Sequence, residues 1–258
     1  MLQKFAQSRF NAFLIHLAIS ALIACTVIFF AILVWYPGYF LDITGAKKIF
    51  LMIIGIDVCL GPILTLIVFN KAKKGLSRDL NIIFLIQICA LVYGMYTITI
   101  ARPVYIVFAV DRFELVQAND ITKENLKDAS QAQFKSLPLF SPKWISTLRP
   151  TDKQEKENLL FSVIDAGIDG AIDLAQLPKY YTDYSNTINE LKKRTIPLSA
   201  LQKLNPDKTD DIDDLFQRFP PSSHYGYIPL AGKKESLTVI INMETGQPVD
   251  VVNLKPWL

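Results

Sequence analysis

Residues Ile49–Phe69 read IFLMIIGIDVCLGPILTLIVF, an apolar run interrupted by one carboxylate, Asp57, and one glycine–proline pair, Gly61-Pro62. A bilayer core needs about 20 apolar residues in helical form, and this stretch supplies them. Two further windows, Phe10–Tyr36 and Leu80–Ala101, have the same length and character. Together they predict three membrane-spanning helices in the first 101 residues. The remaining 157 residues have the composition of an ordinary soluble domain, enough to bury a core. The chain of 258 residues, 51% hydrophobic, thus divides into a membrane region, 1–101, and a soluble region, 102–258.

The charges divide in the same way. Residues 1–101 carry 8 basic and 3 acidic side chains, whereas 102–258 carry 19 and 21. The basic excess sits in the N-terminal tail (Lys4, Arg9) and in the second connection (Lys71, Lys73, Lys74, Arg78). The positive-inside rule places both in the cytoplasm and everything after Ala101 outside it. Trp35, Tyr36, Tyr39 and Phe40 form the aromatic belt expected where the first span leaves the bilayer. The net charge of +3 is therefore a topology signal, and a nucleic-acid footprint is excluded. Leu22-Ile23-Ala24-Cys25 resembles a lipoprotein cleavage box, but the apolar Thr26–Trp35 follows where a polar tether belongs, so an uncleaved anchor is expected.

All three cysteines, Cys25, Cys59 and Cys89, fall within the spans, leaving the exported domain without a disulfide or a cysteine nucleophile. In that domain Val104–Val110 and Phe113–Gln117 read as strands that begin at the membrane. A capping-box start at Thr151 predicts a helix to about Asp165. Shorter helices are expected at Ser185–Lys193, Leu198–Leu204 and Asp210–Arg218, separated by prolines. Strands return at Tyr227–Leu230, Leu237–Asn242 and Val249–Leu254, the last two around a Glu244–Gln247 turn. The predicted fold is an α+β domain with an antiparallel sheet built from both ends of the domain.

Candidate sites are few. Asp57 stands first, because an ionisable group at mid-span costs roughly 2.5–3.5 kcal/mol and usually faces protein or water. A rise of 1.5 Å per residue puts it about 18 Å above the inner boundary, level with Tyr93 and with Ser20–Thr26, whereas His16 is too shallow to reach it. A hydrogen bond to a hydroxyl in the bundle and a partner-facing role fit Asp57 equally, ahead of a proton relay. Pro62 should kink the span and Gly61 admit a close neighbour. His224 after Ser222-Ser223 lacks a nucleophile elbow, and Asp165, Asp169 and Asp173, interleaved with Gly167 and Gly170, miss the spacing of a calcium loop. No cofactor or metal signature is present, and no enzyme is expected.

Gly55-Ile56-Asp57, Gly61–Phe69, Tyr93-Gly94-Met95-Tyr96, Ala101–Val104, Val110–Phe113, Tyr227–Leu230 and Leu254–Trp257 together resemble the TfpX/TfpZ-type accessory proteins of type IV pilins. The resemblance spans the membrane part and both ends of the soluble domain. It implies a non-enzymatic, multi-pass protein of the bacterial inner membrane with a periplasmic domain, whose partner is a type IV pilin. Asp57, Gly61, Pro62 and Tyr93 are then candidate structural or client-contact residues, and Arg102, Asp111 and Arg112 candidate membrane-proximal ones. Without the resemblance, a membrane-tethered envelope enzyme or a sensory domain remains the alternative.

Overall fold

A computed structural model describes residues 2–150, 152–157, 173–222 and 224–257, with side chains from Ser8 onward. The chain forms two compact units, Met1–Val34 with Gly45–Ala101, and Trp35–Thr44 with Arg102–Leu258. The second unit therefore takes in Trp35–Thr44, the stretch directly after the first apolar helix, as well as the region after residue 101.

The first unit is helical. α1 runs Leu2–Val34, and the short α2, Phe40–Thr44, belongs to the other unit. α3, Lys47–Ile54, continues through a π-helical turn, Gly55–Leu60, into α4, Gly61–Val68, and α5 spans Leu76–Ile100. Ser8–Val34, Lys47–Val68 and Leu76–Ile100 are each long and apolar enough to cross a membrane. The π turn stands where a proline kink is expected. In that register Gly61 N–H donates to Ile56 O, five residues back. The next such bond would come from Pro62 to Asp57 O, and proline has no N–H to give.

The second unit is a mixed sheet. Its strands are β1 (Pro103–Ala109), β2 (Arg112–Gln117), β3 (Lys143–Thr147), β4 (Tyr181–Asp183), β5 (Ile196–Pro197), β6 (Tyr225–Ala231), β7 (Ser236–Asn242) and β8 (Pro248–Val252). The order is β4-β3-β1-β2-β6-β7-β8, with β5 paired to β6. Five pairings are antiparallel, but β1 pairs parallel with β3 and β2 parallel with β6. The purely antiparallel sheet expected from the sequence is thus corrected. The β1–β2 hairpin occupies the centre, and long returns through residues 118–142 and 118–224 let β3 and β6 join its two sides in parallel.

Both faces of the sheet are covered. Ile106 and Phe108 of β1 face a core with Phe113, Ile228, Leu230, Val239 and Ile241, while Tyr105, Val107 and Ala109 face a second with Val116, Ile145 and Tyr181. All seven β1 residues are buried for that reason. A third cluster seats α8 (Ala200–Leu204) and α9 (Thr209–Arg218) through Leu201, Ile212 and Leu215 against Tyr227 and Ile240. α6 is Lys123–Lys127, and α7 is Ile188–Arg194, whose Leu191 enters the first cluster. The strands expected at both ends of the domain and the three shorter helices expected between them are present. Of the helix expected from Thr151 to Asp165, residues 153–157 are helical and the rest lies outside the described residues, as do the glycine–aspartate tract at 165–170 and Ser223.

α2 closes the first core. Phe40 and Ile43 are buried in it, and Ile43 O accepts from Lys234 N at 3.2 Å. Gly232 makes this possible: a Cβ there would stand 1.9 Å from Ile43 Cγ1. At the opposite end of β1 the chain reverses through Val110 and Asp111. Val110 has φ +62°, a left-handed conformation that a β-branched residue adopts at a cost.

Candidate functional site

The apolar helices contain few polar side chains, and five residues bearing them converge. Pro62 leaves Asp57 O without a main-chain donor, and Gln87 of α5 fills the place, Nε2 donating to Asp57 O at 3.0 Å. Gly61 is what lets the amide in, since a Cβ there would lie 2.1 Å from Gln87 Nε2. Because a carbonyl only accepts, the amide nitrogen must face Asp57, and Gln87 Oε1 must face His16. His16 Nε2 stands 2.8 Å from that oxygen and therefore carries its hydrogen. In the neutral ring Nδ1 is then the acceptor, and Thr65 Oγ1 lies 2.6 Å from it. Ser20 Oγ accepts from Gln87 Nε2 at 3.4 Å. Three helices are stitched through one buried glutamine.

The Asp57 side chain takes no part. The residue is 6% exposed, and neither carboxylate oxygen has a hydrogen-bond partner among the described residues. Tyr93, expected at its level, is 62% exposed and does not pair with it. Counting residues gives height along a helix but not the side. The buried residues of α5 are Ile83, Gln87, Gly94 and Ile98, a stripe that Tyr93 lies off. Gly94 sits on that stripe because Ile53 of α3 packs where its Cβ would be, 2.6 Å from Ile53 Cγ1.

A cavity of about 590 Å³ opens beside this cluster. One face of α1 from Ser8 to Ile23 lines it, with Asp57, Thr65 and the face of α5 that carries Phe84, Gln87 and Ile88. Its walls are mostly apolar, and its polar atoms are those of the cluster, of Asp57 and of a polar margin at Ser8, Asn11 and Lys71. A buried carboxylate without a partner costs several kcal/mol in such surroundings unless something donates to it. Gln87 was not singled out in the sequence. Its signal was present, as an uncharged amide in the apolar Leu80–Ala101.

The other candidates disperse. Arg102 is buried, and its guanidinium donates to Pro138 O at 3.1 Å. Asp111 and Arg112, grouped with it as membrane-proximal, stand at the far end of β1, because a seven-residue strand carries the chain roughly 23 Å. Arg112 lies 3.4 Å from Asp111, 3.5 Å from Glu114, and over the ring of Trp257 at 5.9 Å. Burial, and then the neighbouring Asp173 carboxyl, push Glu114 up to about 8, with Arg112 opposing. Asp173 also caps a 3₁₀ turn by accepting from Ala175 N. His224 meets Glu244 at 3.1 Å on an exposed surface.

Comparison with known proteins gives a consistent answer. Residues 4–45 match the family described as Fimbrial assembly protein FimB. A fimbrial assembly protein of serogroup I from Dichelobacter nodosus is 31% identical over 254 residues, 94% of each chain. That of serogroup E1 is 29% identical over 252 residues, covering 93% of this chain and 95% of the relative. That of serogroups C1 and C2 is 42% identical over 119 residues, 45% of this chain and 88% of the relative. No solved structure matches. With a relative of this identity aligned along nearly its whole length, the chain belongs to the fimbrial assembly protein family.

Proposed function

We propose that this protein is a membrane-bound accessory factor of the TfpX/TfpZ type that binds type IV pilin subunits in the bacterial inner membrane and keeps them competent for assembly. The observation that carries this reading is the Asp57 carboxylate, buried and without a partner beside a mostly apolar cavity. A subunit waiting in the bilayer presents an apolar helix, and such a cavity fits one that bears a hydrogen-bond donor or cation at mid-depth. The basic connection at Lys71–Arg78 supports a cytoplasmic N-terminus and a periplasmic sheet domain. The role is binding and release rather than catalysis, so moderate affinity is expected.

Deleting the gene should lower surface fimbriae and destabilise the cognate subunit, while a heterologous subunit with its own accessory protein is unaffected. Normal subunit levels and normal fimbriation in the deletion strain contradict the proposal. Topology is tested separately. A reporter active only outside the cytoplasm should give signal when fused at Leu258 and none when fused at Lys74.

A further inference from the structure

We infer that the sheet domain carries its own membrane-insertion loop, Leu139-Phe140, which seats in the outer leaflet of the bilayer at the boundary between headgroups and acyl chains. The inference rests on the reading that the long apolar helices span the membrane. Leu139 and Phe140 are 70% and 69% exposed, the two most exposed large apolar side chains among the described residues of the sheet unit. They are adjacent in a loop held from both sides. Trp35, the residue directly after the last residue of α1, donates its indole N–H to Leu139 O at 2.7 Å. Arg102, two residues past the end of α5, donates to Pro138 O at 3.1 Å. The two residues at which the chain leaves its first and third apolar helices are thus hydrogen-bonded to the backbone of consecutive loop residues. Covalent continuity puts Trp35 and Arg102 at the bilayer surface, and a tryptophan N–H at that level is where the indole ring prefers to lie. A loop bonded to both shares their depth.

The flanks fit the same ligand. Exposed Lys135 and Lys143 bracket the apolar pair, and basic residues around a short apolar tip are complementary to lipid phosphates above acyl chains. Pro138 and Pro142 on either side of the pair stiffen the loop, reducing the ordering cost of insertion. The domain would then be held at a set orientation to the membrane by three points, two chain exits and one loop.

The test uses the full chain, with Cys25, Cys59 and Cys89 replaced by alanine, reconstituted without any client in nanodiscs of phosphatidylethanolamine and phosphatidylglycerol. Single cysteines are placed at Phe140, at Ile86 on the outside of the third apolar helix, and at Val110 on the hairpin tip remote from Arg102. Each carries an environment-sensitive fluorophore, and a fraction of the lipid carries a nitroxide high on the acyl chain. The expected result is blue-shifted emission at 140, with quenching several-fold stronger than at 110. Solvent-like, unquenched emission at 140 together with strong quenching at 86 overturns the insertion loop alone. Absence of quenching at 86 overturns the spanning reading and the loop with it. Emission at 140 that shifts only when a client subunit is added also overturns the proposal and assigns the loop to a protein partner.

Discussion

The helical unit and the sheet unit use polar atoms in opposite ways. Among the helices, polarity is scarce and collected: His16, Ser20, Thr65 and Gln87 close around the carbonyl that Pro62 strands, and Asp57 is left over. In the sheet unit, apolar side chains are collected on both faces of β1, and several of the ion pairs, such as Lys193–Glu190 and Arg218–Asp250, lie at the surface. On the reading that these helices span a bilayer, apolar contact is no rarer between helices than with acyl chains, so hydrogen bonds and close packing at Gly61 and Gly94 would define the bundle. In water, burial defines the core and surface pairs add little. The difference shows where an unfilled polar group is informative. An exposed one in the sheet unit is hydrated, whereas the buried Asp57 carboxylate has no hydrogen-bond partner among the described residues.

The largest effect expected from this contrast is in the sheet unit. Phe113 is fully buried, edge-to-face with Trp144 at 5.0 Å and with Phe108 at 5.6 Å. Phe113→Ala should destabilise that unit by about 3–5 kcal/mol, read as a lower melting temperature, while membrane integration of the helices is unchanged. Loss of integration as well would show that the two units do not stand separately.

Glu114 sharpens the contrast next, because it is a partly buried acid whose partners are known. Its folded-state pKa, about 8, lies above that of the unfolded chain, so the folded state binds the proton more tightly. Its contribution to stability should be full below the unfolded carboxyl range and fall as pH rises towards 8, with a slope of up to about 1.4 kcal/mol per pH unit. Glu114→Gln should flatten that slope in melts taken from pH 5 to 8. An equal slope in the variant would place the titration elsewhere.

Within the helices, Gln87→Leu should lower resistance of the bundle to denaturing detergent by about 1–2 kcal/mol, since Asp57 O and His16 lose their partner. A variant as resistant as the parent would mean that apolar packing alone suffices there. The smallest effect is local. Val110 is 47% exposed and holds φ +62°, so Val110→Gly should raise the melting temperature of the sheet unit, by about 1 kcal/mol of relieved strain.

What was legible in the sequence follows the same division. Run length alone found the three apolar helices, and alternation or apolar runs found β1, β2, β6, β7 and β8. β3 escaped because Lys143–Thr147 is short and its partner, β1, lies some forty residues earlier in a parallel register that no local turn announces. α2 escaped because five residues form no visible period, and its place is decided by the absence of a Cβ at Gly232. Asp57 was legible as a charge in an apolar run. Its surroundings were not, because depth counting cannot say that Gln87 and not Tyr93 shares its side of α5.

The central claim is that the cavity beside Asp57 receives a helix of the fimbrial subunit. A photoreactive amino acid placed at Phe84, which lines the cavity and is 63% exposed, should crosslink to that subunit in living cells. The same group at Leu51, 60% exposed on another face, should not, and Asp57→Leu should weaken the crosslink from position 84 while protein levels hold. Equal crosslinking from both positions, or none from position 84 in cells that assemble fimbriae, would contradict the account.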